Sequence, residues 1–522
     1  MASLAFLFRA MRTINIDLTP EEYHVPEQMR KAVARQIGGS LSDHDSLHVV
    51  RRTLDCRRRN IVYHTEIEIG APVESLSHRE PITPSLPASA PHVVIVGAGP
   101  AGLFAALRAI ELGIKPVIVE RGKPVEERKY DIAKLGREQI VNPNSNWCFG
   151  EGGAGTYSDG KLYTRSTKRG DVSAVLRTFV AHGADPDIML DAHAHIGTDR
   201  LSGIIANMRH TIEEAGGEYH FNTRVSDLIV KDGHVCGVID ADGNHIDGKA
   251  VILATGHSAR DIYLMFHRHS WLLEAKPFAL GVRVEHPQQL INEIQYHGKG
   301  YSKYLPPAAY SLTTQVGNHG VFSFCMCPGG VIVPAATAER QQVVNGMSNS
   351  HRNSPHANSG IAVTVGLNDV EGTDVFALLR FQQAVEQRMF AAGNDSISAP
   401  TQRLVDFLQR KPSSRLNKTG YMGQTVSAPL HELLPPFIVD SLIHGFKDFD
   451  RKMHGFNTEE ASLLAVESRT SSPVRIPRDK ETLQHPQLQG LYPCGEGAGY
   501  AGGIVSSALD GIRSIEAFNL QR

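Results

Sequence analysis

The sequence lacks several features that would settle its class at once. No apolar run is long enough to span a bilayer, so a membrane-embedded role is excluded on composition. No charge of one sign dominates: 53 basic side chains stand against 55 acidic ones, for a formal net charge of -2. A field able to hold a polyanion over the whole surface is therefore missing. The six cysteines, Cys56, Cys148, Cys236, Cys325, Cys327 and Cys494, are scattered, which fits a reducing compartment better than a disulfide framework. No basic lead-in and no small-residue cleavage site frame the short apolar stretch Leu4–Phe8, so it does not read as a signal peptide. A start at Met11 instead of Met1 fits the pattern as well, and a cytoplasmic location is expected.

What is present is an ordinary globular composition, with 41% apolar and 21% charged residues over 522 positions. That length is too great for one core and predicts several domains. Residues 1–70 read as a small α/β domain in the order β-α-β-β. Thr13–Leu18 alternates as a strand, Thr19-Pro20-Glu21-Glu22 is a capping box, and Gly38-Gly39 stops the helix. Strands follow near Leu47–Leu54 and Ile61–Ile69. Residues 71–90 form a linker, within a proline- and serine-rich stretch that holds five prolines from Ala71 to Pro91. Arg51-Arg52 and Arg57-Arg58-Arg59 in the first unit are either a patch for RNA or a phosphorylated partner, or a solvated strand edge. The edge is the plainer reading.

A second domain opens with HVVIVGAGPAG, which sets Gly97-x-Gly99-x-x-Gly102 between a strand and a helix. The first glycine permits the tight turn, the second admits a pyrophosphate, and the third lets the helix pack on the sheet. Ala98, Pro100 and Ala101 fill the turn, and the helix N-terminus favours the anion. Glu120 ends the next strand, 18 residues beyond Gly102, where a carboxylate accepts from ribose hydroxyls and repels a 2′-phosphate. Arg121 beside it, and Val225 in the later run of short strands, belong to the same expected contact surface.

Nicotinamide and flavin dinucleotides compete for that fingerprint, and the rest of the chain separates them. Ala254-Thr255-Gly256 ends a strand after Asp-Gly-rich hairpins, and this resembles the FAD-binding domain of the glutathione-reductase-like superfamily. Cys494-Gly495-Glu496-Gly497 resembles that superfamily's C-terminal motif, with glutamate where aspartate is usual. The resemblance implies that Glu496 holds the flavin ribityl chain. It also implies that Gly502, Gly503 and Ile504 open a last helix toward the flavin, where a helix N-terminus stabilises the charge of the reduced ring.

GHSARD (Gly256–Asp261), EAKPFALGVRVEHPQ (Glu274–Gln288), FSFCMCPGG (Phe322–Gly330), NGMS (Asn345–Ser348) and ESRTSSPVRIPRD (Glu467–Asp479) carry the likeness further. In this order they are similar to a widespread family of bacterial FAD-dependent dehydrogenases with a small N-terminal domain. GEGGAGTYSDGKL (Gly150–Leu162) fits that family too. Four glycines in six residues suit a backbone wrapped around a ligand. Gly152, Gly153, Ala154, Gly155, Thr156, Asp159 and Lys161 are accordingly expected at the cofactor. The resemblance covers the chain from Met11 on and implies FAD, with no substrate.

The expected fold is thus α/β. A Rossmann-like FAD-binding domain of glutathione-reductase type spans residues 91–275 and 461–522. A mixed α+β substrate domain is inserted at 276–460, and the small N-terminal domain precedes both. No second glycine fingerprint follows a strand, so NAD(P)H enters only as a transient electron donor without a domain of its own. No Cys-x-x-x-x-Cys lies near Cys148, which excludes a pyridine nucleotide-disulfide reductase mechanism. Cys325 and Cys327 read as small buried residues rather than a redox pair. The 25 histidines show no metal-ligand spacing with them, so no metal is expected.

The candidates for chemistry are His257 as a proton carrier, Arg469 and Arg475 as carboxylate binders or structural ion pairs, and Tyr500 as a pocket wall. The favoured function is an FAD-dependent oxidoreductase acting on a small-molecule substrate by hydride transfer through flavin N5, with neither membrane nor nucleic acid as partner. A flavin-dependent tRNA-modifying enzyme and a non-catalytic FAD-binding protein are the alternatives.

Overall fold

The computed structural model describes residues 12–42, 44–70, 85–164, 170–298 and 303–522. The buried-type strand His92–Val96 is the centre of a five-stranded parallel sheet. Its order is Leu491–Pro493, Val251–Leu253, His92–Val96, Lys115–Val119, Glu218–His220. All four pairings are parallel. Such a sheet must be covered on both faces, which explains the continuous apolar runs of its strands. On one face lie the helices Pro100–Glu111, Thr198–Glu214 and Ile504–Gln521, joined in one core by Phe104, Ile110, Met208, Val505 and Phe518. On the other face a three-stranded antiparallel sheet, Val225–Lys231, His234–Asp240 and His245–Asp247, shares a core with the helix Arg260–Arg268. The last sequence segment therefore supplies both an edge strand and a covering helix to a sheet that starts some 400 residues earlier.

The second large sheet has seven strands, ordered Thr313–Val316, His319–Cys327, His356–Val365, Phe278–Pro287, Ser462–Glu467, Ala399–Arg403, Thr425–Ser427. Its only parallel pairing is the last one. The helix Pro436–Lys452 buries Ile438, Leu442, Phe446 and Phe449 against it. The sheet's central strand, Phe278–Pro287, lies within the motif Glu274–Gln288 and is buried along its length.

The first unit pairs Arg12–Leu18 with Val62–Ile69 and the latter with Leu47–Asp55, all antiparallel. The capping box at Thr19 is formed in both directions. The single helix expected after it is two, Pro20–His24 and Pro26–Ile37. The residue before a proline is pushed out of the helical region, and Val25 takes φ -108°, ψ 106°. Arg52 fastens this unit to the parallel-sheet domain. Its guanidinium meets Asp191 at 2.5 and 2.7 Å, and its backbone N–H donates to Leu190 O at 2.9 Å. Residues 71–84 of the expected linker lie outside the described residues. No described helix is long and apolar enough to cross a membrane.

Candidate functional site

One cleft of about 330 Å³ opens where the carboxyl ends of the parallel strands face the seven-stranded sheet. This is where open α/β sheets bind ligands. The fingerprint turn forms its floor. Gly97 stands at φ +105°, and a side chain there would strike the carbonyl of Ala254. A side chain on Gly102 would overlap the carbonyl of Gly97, so this glycine serves packing and does not reach the cleft. Gly97, Gly99, Pro100 and Ala101 line the cleft, while Ala98 and Gly102 sit behind it.

Glu120 lines the same floor, yet its carboxylate is largely committed. It accepts from the N–H groups of Ala98 (2.9 Å), Gly122 (2.9 Å) and Gly150 (3.0 Å). A carboxylate has about four acceptor positions, so roughly one is left for a ribose. Beside the ribose contact expected of it, Glu120 ties the fingerprint turn to the glycine loop. Arg121 lines the cleft as well, bonded to Asp261 and Asn144 at 3.0 Å each and lying over the Phe149 ring. Val225 is on the wall nearby.

The glycine loop after Gly150 contains one short 3-10 turn, Gly153–Gly155. Its N–H at Gly152 donates to Ala98 O at 2.7 Å, which presses the loop on the fingerprint. Arg128, fully buried, donates to the carbonyls of Asn146, Glu151 and Gly153 at 2.7–2.8 Å. Sequence reasoning missed Arg128, because nothing in a helix-borne arginine marks which carbonyls it will satisfy. Gly153, Ala154, Gly155, Asp159 and Lys161 face the cleft, whereas Gly152 and Thr156 are turned away from it. Asp159 takes both oxygens' worth of Arg352, at 3.1 and 2.6 Å, and a bond from Ser348. Burial would raise this carboxyl, but Lys161 and Arg352 outweigh it and hold it at about 2.

The third wall joins two more segments. Ala254, Thr255 and Gly256 follow the strand Val251–Leu253, and Gly495 and Glu496 follow Leu491–Pro493. His257 and Glu496 face each other across the cleft, Nε2 to Oε2 at 3.7 Å. Burial, helped by Arg469 and Arg260, pushes His257 down to about 4, while burial lifts Glu496 to about 7. Near neutral pH the imidazole is therefore neutral, and Glu496 is the member of the pair that titrates there.

Gly502, Gly503 and Ile504 complete the wall at the start of the helix Ile504–Gln521. Side chains added at Gly256, Gly502 or Gly503 would meet no atom within 4 Å. The glycines thus leave an open cradle, and the positive ends of two helices, Pro100–Glu111 and Ile504–Gln521, both give on to it. A dinucleotide with its bridging pyrophosphate at the first of these helices and its flavin at the second fits these residues.

Of the four candidates for chemistry, two are displaced. Arg475 is off the cleft, 3.5 Å from Glu274, and Tyr500 accepts the Arg478 N–H while that guanidinium lies 3.9 Å from its ring. Arg469 touches the cleft but is spent on structure. It bonds Glu386 at 2.8 Å, Ser258 at 2.8 Å, Thr337 at 2.9 Å and Gln341 at 2.9 Å. Of the four, only His257 keeps a ring nitrogen toward the open space. The structure adds Cys148, Phe149, Thr223, Arg224, Phe324, Cys325 and Asn345 to the walls. Cys325 corrects an expectation: it is half-buried at the cleft, and only Cys327 is a core residue. Among the described residues, no group of His, Cys, Asp and Glu gathers to hold a metal.

A mixed α/β fold with a parallel sheet and a dinucleotide cleft defines the class of this protein. The comparisons refine it. Residues 91–263 match the model of the pyridine nucleotide-disulphide oxidoreductases, residues 277–470 that of the C-terminal domain-like region of FAD-dependent proteins, and residues 10–70 a domain of unknown function. Over 98% of its length the chain is 38% identical to an uncharacterized protein of Clostridium beijerinckii, all of which (100%) is covered. The chain belongs to the family of that protein, a family of FAD-dependent proteins with oxidoreductase-type domains, and its cofactor is FAD. Among solved structures it is similar to CtdE in complex with FAD, at 12% identity and TM-score 0.32 over 82% of this chain and 84% of that one. It is similar also to a geranylgeranyl bacteriochlorophyll reductase-like protein of Thermoplasma acidophilum, at 12% identity and TM-score 0.34 over 82% and 78% of the two chains.

Proposed function

We propose that the protein is an FAD-dependent oxidoreductase that passes a hydride between the flavin and a small organic molecule held against the seven-stranded sheet. In this reading residues 91–275 and 461–522 form a glutathione-reductase-type FAD domain, and 276–460 is the inserted substrate domain. The observation that carries it is the cradle itself. Two helix N-termini and three glycine turns, at Gly97–Gly102, Gly256 and Gly502–Gly503, open on one cleft whose remaining wall comes from the other sheet. The flavin, when bound, supplies hydride transfer at N5.

The chain supplies the rest. Gly97–Ala101 seat the pyrophosphate on a helix N-terminus, and Glu120 fixes that turn. Glu496, lifted by burial to about 7, exchanges a proton near neutral pH within reach of His257, so a proton can follow the hydride without water from outside. Phe324 and Asn345, from the seven-stranded sheet and its neighbouring hairpin, offer the substrate an apolar face and an amide. NADH or NADPH serves as a transient donor entering the same cleft. Of the arginines of the N-terminal unit, Arg52 is occupied by Asp191 and Arg57 by Asp55, which leaves the tRNA reading without a specific observation in its favour.

The test is direct. Purified protein should be yellow and release FAD, not FMN, on denaturation. NADH or NADPH should bleach it under anaerobic conditions, and a small-molecule acceptor should restore the colour. A colourless protein that takes up no FAD would end the reading of the cleft. A yellow protein that no donor can reduce would reduce it to a binding protein.

A further inference from the structure

We propose that Cys325 and Cys327 are a second redox centre of the cleft, a dithiol that exchanges two electrons with the adjacent FAD and cycles to an intramolecular disulfide. The idea rests on FAD lying in this cleft. It begins from the backbone. Along the strand His319–Cys327 the pairing with His356–Val365 slips between Phe324 and Cys327. At the slip Cys325 takes φ +46°, a left-handed conformation that a residue with a side chain rarely adopts. A regular strand would keep residues two apart on one face but separated. The bulge instead turns Cys327 back on its neighbour, and Cys327 Sγ donates to Cys325 O at 3.3 Å.

The two sulfurs are differently placed. Cys325 is half-buried and on the cleft wall, open to a ligand there, and Cys327 is wholly buried behind it. That is the arrangement of an attacking thiol and its resolving partner. The charges around them agree. Lys161, Arg283 and Arg352 bring three positive charges, against two negative ones on Asp159 and Glu467. Lys161 is anchored on Met326 O, between the two cysteines, and Arg283 reaches Cys325 O at 3.3 Å. A thiolate on Cys325 completes the balance. The Cys327 hydrogen bond, with Lys161 and Arg283 behind it, holds the Cys325 thiol well below its usual range against the cost of burial. Cys327 is pushed the other way, first by its bond with Cys325 and then by burial. The more acidic thiol of the two is therefore the one on the cleft wall.

In the step, a Sγ–Sγ bond forms and the S–H bond of Cys327 breaks. Two electrons and that one proton leave the pair and are taken up by the FAD ring. The reverse step regenerates thiolate and thiol. Glu496 lines the same cleft, and its carboxyl feels the charge of Cys325.

An anaerobic dithionite titration of air-oxidised holoprotein tests this. The wild type should take up four electrons per FAD, two for the cofactor and two for the disulfide, and C325S and C327S each two. Iodoacetamide should leave the peptide with Cys325 and Cys327 unlabelled in oxidised protein and label it twice after reduction. Reduction of the thiols alone should bring a long-wavelength charge-transfer absorbance that C325S abolishes. Two electrons per FAD in the wild type, with both cysteines labelled in the oxidised protein, would overturn the proposal without any variant being needed. Protein without FAD fails the cleft reading instead, before any electrons are counted.

Discussion

Replacing Gly503 by valine separates the flavin-binding role of the last loop from its folding role. Gly503 has φ 165°, an extended backbone open to any residue, and a side chain there meets no protein atom within 4 Å. The fold should therefore survive. The Ser507 N–H bond to Gly503 O, 2.9 Å, is a backbone contact and persists. The added methyl groups instead occupy cleft space at the mouth of the helix Ile504–Gln521, whose first N–H groups have no acceptor within the helix. A flavin held against that end gains stabilisation of the negative charge it acquires on reduction. Pushing the ring away should cost about 1 kcal/mol, up to about 2 in a buried site. For a two-electron couple about 1.4 kcal/mol corresponds to 30 mV, so the midpoint potential should fall by roughly 20–40 mV. FAD affinity should fall with it. Spectroelectrochemical titration of the two proteins reads the potential, and fluorescence of released FAD reads the affinity. A G503V protein with native potential and native affinity would show that the flavin does not lie against this helix, and the placement of the C-terminal motif would be wrong.

Three other outcomes follow from the packing and the charges. A fragment of residues 91–522 should retain FAD, since no residue from 12 to 70 lines the cleft; loss of FAD from a folded fragment would make the N-terminal unit part of the site. R469M should destabilise the protein by about 3 kcal/mol, the lower end for breaking a buried pair because Arg260 still faces Glu386 at 2.9 Å, and an unchanged thermal midpoint would contradict the ion-pair assignment. Glu496 is raised from 4.5 to about 7, so the fold favours its protonated form: its contribution is complete below pH about 4.5 and is lost as pH rises through about 7. E496Q, which stays neutral, should flatten the urea midpoint across that window, and an E496Q curve that falls as the wild type's does would place the titration elsewhere.

What was legible in the sequence was local. The fingerprint could be read because strand, turn and helix are set by glycines a few residues apart, each with its own steric reason, and Gly97 and Gly102 meet those reasons at Ala254 and Gly97. The break at Pro26 follows from the same kind of rule, since the residue before a proline leaves the helical region however strong the cap at Thr19. The partners of charged groups were not legible. The bond from the Gly150 loop to Glu120 shows only in the fold, and Arg469 reads as a substrate clamp until Glu386, 83 residues away in sequence, is folded beside it. A carboxylate or guanidinium declares its charge in the sequence, while its role depends on which opposite charge the topology delivers first.

The C-terminal loop shows how far a motif can be trusted within its own length. Glu496, Gly502 and Gly503 face the cleft, but Tyr500 between them does not. The chain closes two tight turns there, Gly499 N–H to Glu496 O and Tyr500 N–H to Gly495 O, each at 3.0 Å, and Gly499 is at φ +86°. These turns swing residue 500 out of the wall and on to Arg478. Arg478 is itself fixed by Asp510 of the last helix, at 2.6 and 3.0 Å, and the same carboxylate accepts the N–H of Gly495 at 2.9 Å. The ring of Tyr500 is thus one layer in a stack that clamps the glycine loop to the helix whose N-terminus faces the cleft. A motif fixes which backbone approaches a ligand. Side chains within it point wherever the turns send them, and for Tyr500 that is into the support rather than the site.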